Sequence, residues 1–280
     1  MTGIASIRTY KTESLPGSIR IFVHPDHRRK GIGKELLKHS VAEISKTGVS
    51  EVLFYTSSSA PAGSLFAEKL ELKKEYDYSS NRLTISEADD ALLNEWLDYP
   101  LGAEQEIFMA VWHNLTPEDR YGDLVCFYQK VHDAEKGQPG FVEYTYTEEK
   151  FRQREKAMNK TGSQCLTIIC SAADTGEILG MTDISWSPSR PEVVFQGYTA
   201  VLPSVRRKGI GKRLKAEMLL HVKKNIPEAV FIRSGNTNYR EPILRINEQL
   251  GFRCTNTVTV WKKGISALKA VTGGKKNSSI

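Results

Sequence analysis

The chain has little of what marks an exported or membrane-embedded protein. Its 280 residues contain four cysteines, Cys126, Cys165, Cys170 and Cys254, with no CxxC pair and no Cys/His spacing suited to a metal. They read as reduced thiols rather than a disulfide framework, which leads us to expect a cytoplasmic protein. No run approaches the roughly 18 apolar residues a spanning helix needs, and Met1 to Tyr10 lacks an apolar block before a small-residue cleavage site. We therefore expect neither a membrane partner nor export. The six histidines show no metal-binding spacing, so no metal is expected. Glycine (21) and proline (11) are too few for a fibrous chain, while 40% hydrophobic residues suffice for a buried core. At this length two domains are expected.

Positive charge is in excess, with 39 Lys and Arg against 33 Asp and Glu, but it is not spread evenly. His24 to Lys38 carries five Lys/Arg against two acids, and Pro203 to Glu217 carries six against one. Together these spots outweigh the whole surplus of +6. Two compact basic spots suit discrete anionic groups better than a long phosphate backbone. Neither is interleaved with aromatics for base stacking, so nucleic acid is not expected as a partner.

The same two spots are copies of one another. Val23-x-Pro25 followed by Arg28-Arg-Lys-Gly31-Ile-Gly33-Lys34 recurs as Val201-x-Pro203 followed by Arg206-Arg-Lys-Gly209-Ile-Gly211-Lys212, with seven consecutive residues identical. A strand pattern precedes each copy (Ser18 to Val23; Val193 to Val201) and an amphipathic helix follows, with Ile32, Leu36, Leu37, Val41 and Ile44, or Ile210, Leu214, Met218 and Val222, on one face. A further strand closes each unit, at Glu51 to Tyr55 and Ala229 to Arg233. The separation is far too long for a solenoid repeat, so the copies indicate duplicated domains.

The glycines allow close backbone approach at the start of a helix, where unpaired N–H groups and the positive dipole end point outward. That is an anion site fit for a pyrophosphate. A Walker A reading fails for want of G-x-x-x-x-G-K-[ST], and a dinucleotide-binding reading lacks the acidic residue that should close the next strand.

Both copies resemble motif A of the GNAT family of N-acetyltransferases, V-x-x-x-x-[QR]-x-x-G-x-[GA], and Asn236 to Phe252 resembles its motif B helix ending in Leu-Gly-Phe. Two such units in one chain, with Gln196, Thr199 and Val201 on one strand, look like the tandem group that includes mycothiol synthase. The resemblance implies an α/β (α+β) fold of two tandem GNAT-like domains, each a mixed, mostly antiparallel sheet flanked by helices. The first is truncated (residues 1–80), the second complete (81–265), and a flexible tail follows (266–280).

It further implies transfer of an acetyl group from acetyl-CoA, as co-substrate, to a primary amine by direct attack. A small-molecule acceptor is favoured; a non-catalytic acyl-CoA-binding module and a protein amine acceptor are the alternatives. The resemblance puts CoA on Val201, Leu202, Arg206, Arg207, Lys208, Gly209, Ile210, Gly211 and Lys212, with Asn236 toward the pantetheine. The family's usual tyrosine acid is replaced here by Asn247, with Tyr239 two turns earlier as a substitute. The usual strand glutamate is missing: this strand offers Gln196, Tyr198 and Thr199, and Asp183 on the preceding strand, or water relayed by such groups, is the substitute. Arg240 stands where the family often has a pantetheine-binding asparagine, a part for which Asn236 or Asn238 is the substitute. In the first copy Glu71 occupies the position where the Leu-Gly-Phe glycine is expected.

In the second unit we expect a strand at Asn81 to Ile85 and helices at Asp89 to Leu97, Glu104 to His113 and Thr147 to Met158. A hairpin of Cys165 to Ser171 and Glu177 to Trp186 follows. The polar connection over residues 115–150, with Asp119, Asp123, Asp133, Glu135, Glu143, Tyr144 and Tyr146, is expected to build the acceptor pocket together with the interface between the two units.

Overall fold

The computed structural model describes residues 1–10, 15–99, 106–138, 141–237 and 241–273. In chain order the elements are β1 (Gly3–Arg8), β2 (Gly17–Val23), α1 (Ile32–Ile44), β3 (Glu51–Ser57), α2 (Ala62–Lys69), β4 (Lys73–Thr84), α3 (Asp90–Asp98), β5 (Ile107–His113), α4 (Tyr121–Asp133), α5 (Glu148–Lys160), β6 (Gln164–Ala172), β7 (Ile178–Ser187), β8 (Arg190–Val201), α6 (Ile210–Asn225), β9 (Phe231–Thr237), α7 (Glu241–Gln249), β10 (Arg253–Gly264) and α8 (Ile265–Gly273). None of these helices is long and apolar enough to cross a membrane.

The chain forms two compact units, residues 1–78 with 256–280, and residues 79–255. In the first, β1 pairs antiparallel with β2, β2 parallel with β3, and β3 antiparallel with β10. Leu37, Val41 and Ile44 of α1 are buried with Ile19, Val52, Phe54 and Trp261. The sequence predicts a second domain that ends at residue 265, with a flexible tail beyond it. Instead, residues 258–264 pair with 51–57, and Leu268 of α8 is fully buried in the first unit's core. A short apolar helix carries no strong sequence signal when its partner surface lies about 200 residues away.

In the second unit β5 to β8 form an antiparallel meander, and β9 adds to β8 in parallel. Ile210, Leu214, Met218, Leu219 and Val222 make α6 a helix with one buried stripe, each side chain contributing roughly 1.5–3 kcal/mol by removal from water. Two expected features differ. Residues 107–113, expected within a helix, are strand β5 paired to β6; half-buried and exposed side chains alternate along it except at Met109 and Ala110, both half-buried, and residues 100–105 lie outside the described set. The connection at 115–150 contains α4, whose Tyr121, Leu124, Phe127, Tyr128 and Val131 are all buried. The acid-rich surface of this segment masked that three- and four-residue periodicity.

Two strand irregularities shape the site. The β8–β9 pairing runs from Val193↔Phe231 to Gln196↔Ser234 and stops, although both strands continue. Past that point β8 is lined up with β7 alone, and the ends of β8 and β9 part. Between Thr182↔Thr199 and Ile184↔Gln196, β8 also carries one more residue than β7, which is a bulge at Gly197 and Tyr198.

Candidate functional site

The repeated loop folds alike in both units. Arg29 and Arg207 have φ of 63° and 62°, in the left-handed region that costs a non-glycine residue roughly 1–2 kcal/mol. Gly31 and Gly209, at φ 81° and 89°, cap the following helices. The Nε–H of Arg28 donates to Val23 O at 3.1 Å, and that of Arg206 to Val201 O at 3.2 Å, tying each loop to the strand before it. In the second unit Arg206 N–H reaches Pro203 O and Arg213 N–H reaches Gly209 O. The amides from Arg207 to Lys212 have no protein acceptor among the described residues. Successive bare N–H groups around a left-handed residue, at a helix start, form a nest for an anion.

A cavity of about 700 Å³ lies against this loop. Thr199, Ala200 and Val201 of β8 form one wall, Pro242, Ile243 and Ile246 of α7 another, and the end of α4 with Glu135 and Gln138 a third. It lies beside the end of β8, beyond the last residue paired with β9. The lining is mainly apolar, with Arg206, Arg207 and Lys212 gathered at the loop. Lys212 is steadied by the face of buried Trp96, its Nζ 4.9 Å from a ring centroid. Anion-binding amides and cations at one end of a long apolar slot fit a molecule with a diphosphate head and a flexible, weakly polar arm.

The cavity gathers Thr199, Val201, Arg206, Arg207, Gly209, Ile210, Gly211 and Lys212 of the residues singled out in the sequence. Leu202 and Lys208 are not in the lining, and Leu202 spends its N–H on Leu179 O and accepts Val205 N–H on its carbonyl. Asn247 is buried outside the cavity, where its Nδ2 donates to Asn236 Oδ1 at 3.1 Å. Asn236 also accepts from Ser234, so this pair ties α7 to β9. Tyr239, Asn238 and Arg240 lie outside the described residues. Of the acids expected around the acceptor, Glu135 lines the cavity. Asp123 pairs with Arg120, Glu143 pairs with Lys136, and Asp133 accepts from Gln129.

Asp183 also lies apart from the large cavity. It is 5% exposed, bonded by Arg154 Nη2 at 3.1 Å and by the Tyr198 N–H of the bulge, and it borders a separate cavity of about 50 Å³. Burial raises its pKa, against the charge of Arg154 and the Tyr198 hydrogen bond. Lys215 on α6 is 2% exposed, its Nζ 5.6 Å from the centroid of the Phe252 ring. Burial lowers its pKa to about 7, with the charge of Asp183 acting the other way. Lys215 is one of the six basic residues between Pro203 and Glu217. Its spacing of three and four residues before Met218 and Leu219 was the signal that it faces the core.

Residues 2–70 match the acetyltransferase (GNAT) domain model, and residues 128–240 match that of the acetyltransferase (GNAT) family. No curated protein matches the chain. Among solved structures, a tandem GNAT protein from the clavulanic acid biosynthesis pathway shares the fold at a TM-score of 0.66 and 20% identity, over 89% of this chain and 75% of that one. A GCN5-related N-acetyltransferase from Sphaerobacter thermophilus does so at 0.70 and 15%, over 94% and 77%. A glucosamine N-acetyltransferase region of a fungal multi-domain protein gives 0.61 and 10%, over 92% and 31%. With both units matched by models that together cover more than half of its length, the chain belongs to the GNAT family of acetyltransferases, as two such domains in tandem.

Proposed function

We propose that this protein transfers the acetyl group of acetyl-CoA to a primary amine of a small molecule, and that the second unit does the work. The observation that carries this reading is the cavity of about 700 Å³ that runs from the bare amides of residues 207–212, past the free end of β8, to the end of α4. The diphosphate of CoA rests on those amides with Arg206, Arg207 and Lys212 around it, and the pantetheine arm lies along Val201. Glu135, in the wall built by the end of α4, is the carboxylate that receives the incoming ammonium.

The reaction requires a neutral amine, a donor to the charge that develops on the thioester, and a proton for the departing thiolate. Asp183 is enclosed by Tyr198 and Arg154, outside the large cavity, and is assigned no proton transfer. Asn247 is likewise committed to Asn236. That commitment is the observation favouring a second reading, in which the unit binds acyl-CoA without turnover.

Incubation with acetyl-CoA and a panel of primary amines, read by release of free thiol, separates the two. Turnover supports the transferase. Binding of acetyl-CoA without thiol release across the panel supports the binding module, and absence of acetyl-CoA binding would sink both.

A further inference from the structure

From the directions of three hydrogen bonds beneath the cavity, and resting on the functional reading above, we infer that Thr199 is held as a hydrogen-bond donor to the sulfur of CoA, with Gln196 and Thr182 as the positioning residues that set this direction.

Gln196 is buried, and one atom of its amide lies 2.6 Å from the backbone carbonyl oxygen of Asp183. A carbonyl only accepts, so that atom is the amide nitrogen. Its second hydrogen points to Thr182 Oγ1 at 3.0 Å. The Thr182 hydroxyl therefore accepts from Gln196, and Thr182 is 0% exposed. Its own proton has one acceptor among the described residues, Thr199 Oγ1 at 2.7 Å. Turned the other way, the pair would leave a buried hydroxyl hydrogen without a partner, which costs roughly 1–3 kcal/mol.

Thr199 consequently accepts from Thr182, and the longer 3.5 Å approach of Gln196 Nε2 is also to its oxygen. Its own hydrogen has no acceptor among the described residues, and Thr199 lines the cavity. The relay thus runs Gln196 to Thr182 to Thr199 to cavity, ending in a hydroxyl polarised by the donors behind it.

The chemistry follows from the two ends of the relay. When the amine nitrogen bonds to the thioester carbon and the carbon–sulfur bond breaks, the electron pair stays on sulfur. Thr199 stabilises that charge by a hydrogen bond. It does not supply the proton outright, because the relay ends in an amide that cannot replace it; the thiolate takes the proton that the amine sheds, through water. A donor of this kind offsets the placement of Asn247 where the family has a tyrosine acid.

The probe is CoA itself, so no acceptor need be known. The thiol of enzyme-bound CoA is titrated by its thiolate absorbance. In the wild type its midpoint lies below that of free CoA. Thr199→Val raises it by about one pH unit or more, as loss of one hydrogen bond to a charged group implies, while Thr199→Ser keeps it near the wild-type value. Gln196→Glu is the directional test. A protonated carboxyl gives its single proton to Asp183 O and can only accept from Thr182, which turns Thr199 away from the cavity, so the midpoint rises although Thr199 is present. Should Gln196→Glu not fold, the Val and Ser variants at 199 decide alone. Equal midpoints in wild type and Thr199→Val, with CoA bound by both, would overturn the assignment. A wild type that fails to bind CoA would overturn the functional reading itself, and this inference with it.

Discussion

Replacing Gly211 by Glu tests whether the second loop is the one that meets acetyl-CoA. A Cβ built at Gly211 lies 3.4 Å from Ile246 Cδ1 and 3.8 Å from Val201 Cγ2, both cavity-lining residues, and touches no backbone. The position is helical, where glycine costs roughly 1 kcal/mol relative to better helix formers, and a carboxylate in a first turn is favoured by the helix dipole. The fold should therefore tolerate the change. The ligand should not, because the new carboxylate enters the slot beside the diphosphate site. At about 100 times its dissociation constant, acetyl-CoA stabilises the wild type by roughly 2.7 kcal/mol. At about 2–4 °C per kcal/mol for domains of this size, thermal scanning should show a rise of roughly 5–10 °C. Gly211→Glu should unfold near the wild-type temperature without acetyl-CoA and show none of that rise with it. Gly33→Glu is the matched control, since its Cβ meets Val23 at 3.8 Å and Phe66 at 3.9 Å in the equivalent place. If Gly33→Glu lost the rise and Gly211→Glu kept it, the wrong half would have been assigned.

Gly197→Ala should be more damaging than an ordinary glycine change, because a Cβ there would meet Asp183 Cγ at 2.9 Å and Oδ2 at 3.0 Å. Displacing the carboxylate from Tyr198 and Arg154 should cost about 2–4 kcal/mol in denaturant unfolding, and a cost below about 0.5 kcal/mol would count against the packed bulge. Lys215 binds its proton less tightly folded than unfolded, so it makes stability rise with pH from about 7 toward 10.5. Its share is at most about 5 kcal/mol, and Lys215→Met should flatten that part of the stability–pH curve; an unchanged slope would refute the buried-amine account. Leu268→Ala should lower the stability of the first unit by roughly 2–5 kcal/mol, as for other fully buried leucines, whereas a solvated tail would give no change.

The sequence by itself determined the loop. Two copies of Arg-Arg-Lys-Gly-Ile-Gly-Lys between a strand ended by proline and an amphipathic helix define a helix start with bare amides, because φ preference, helix termini and local charge act within about ten residues. The structure repeats that local geometry down to the left-handed arginine at 29 and 207. Tertiary structure decided the surroundings. Whether β8 and β9 stay paired to their ends, and where an extra residue bulges, depends on register between strands about 40 residues apart in sequence, and no local pattern encodes it. The same holds for the polar side chains near the cavity. Asp183, Thr199, Lys215 and Asn247 are each compatible with solvent or core until neighbouring elements close over them. Burial then made Asp183 and Lys215 core groups, tied Asn247 to β9, and left the hydroxyl of Thr199 at the cavity wall.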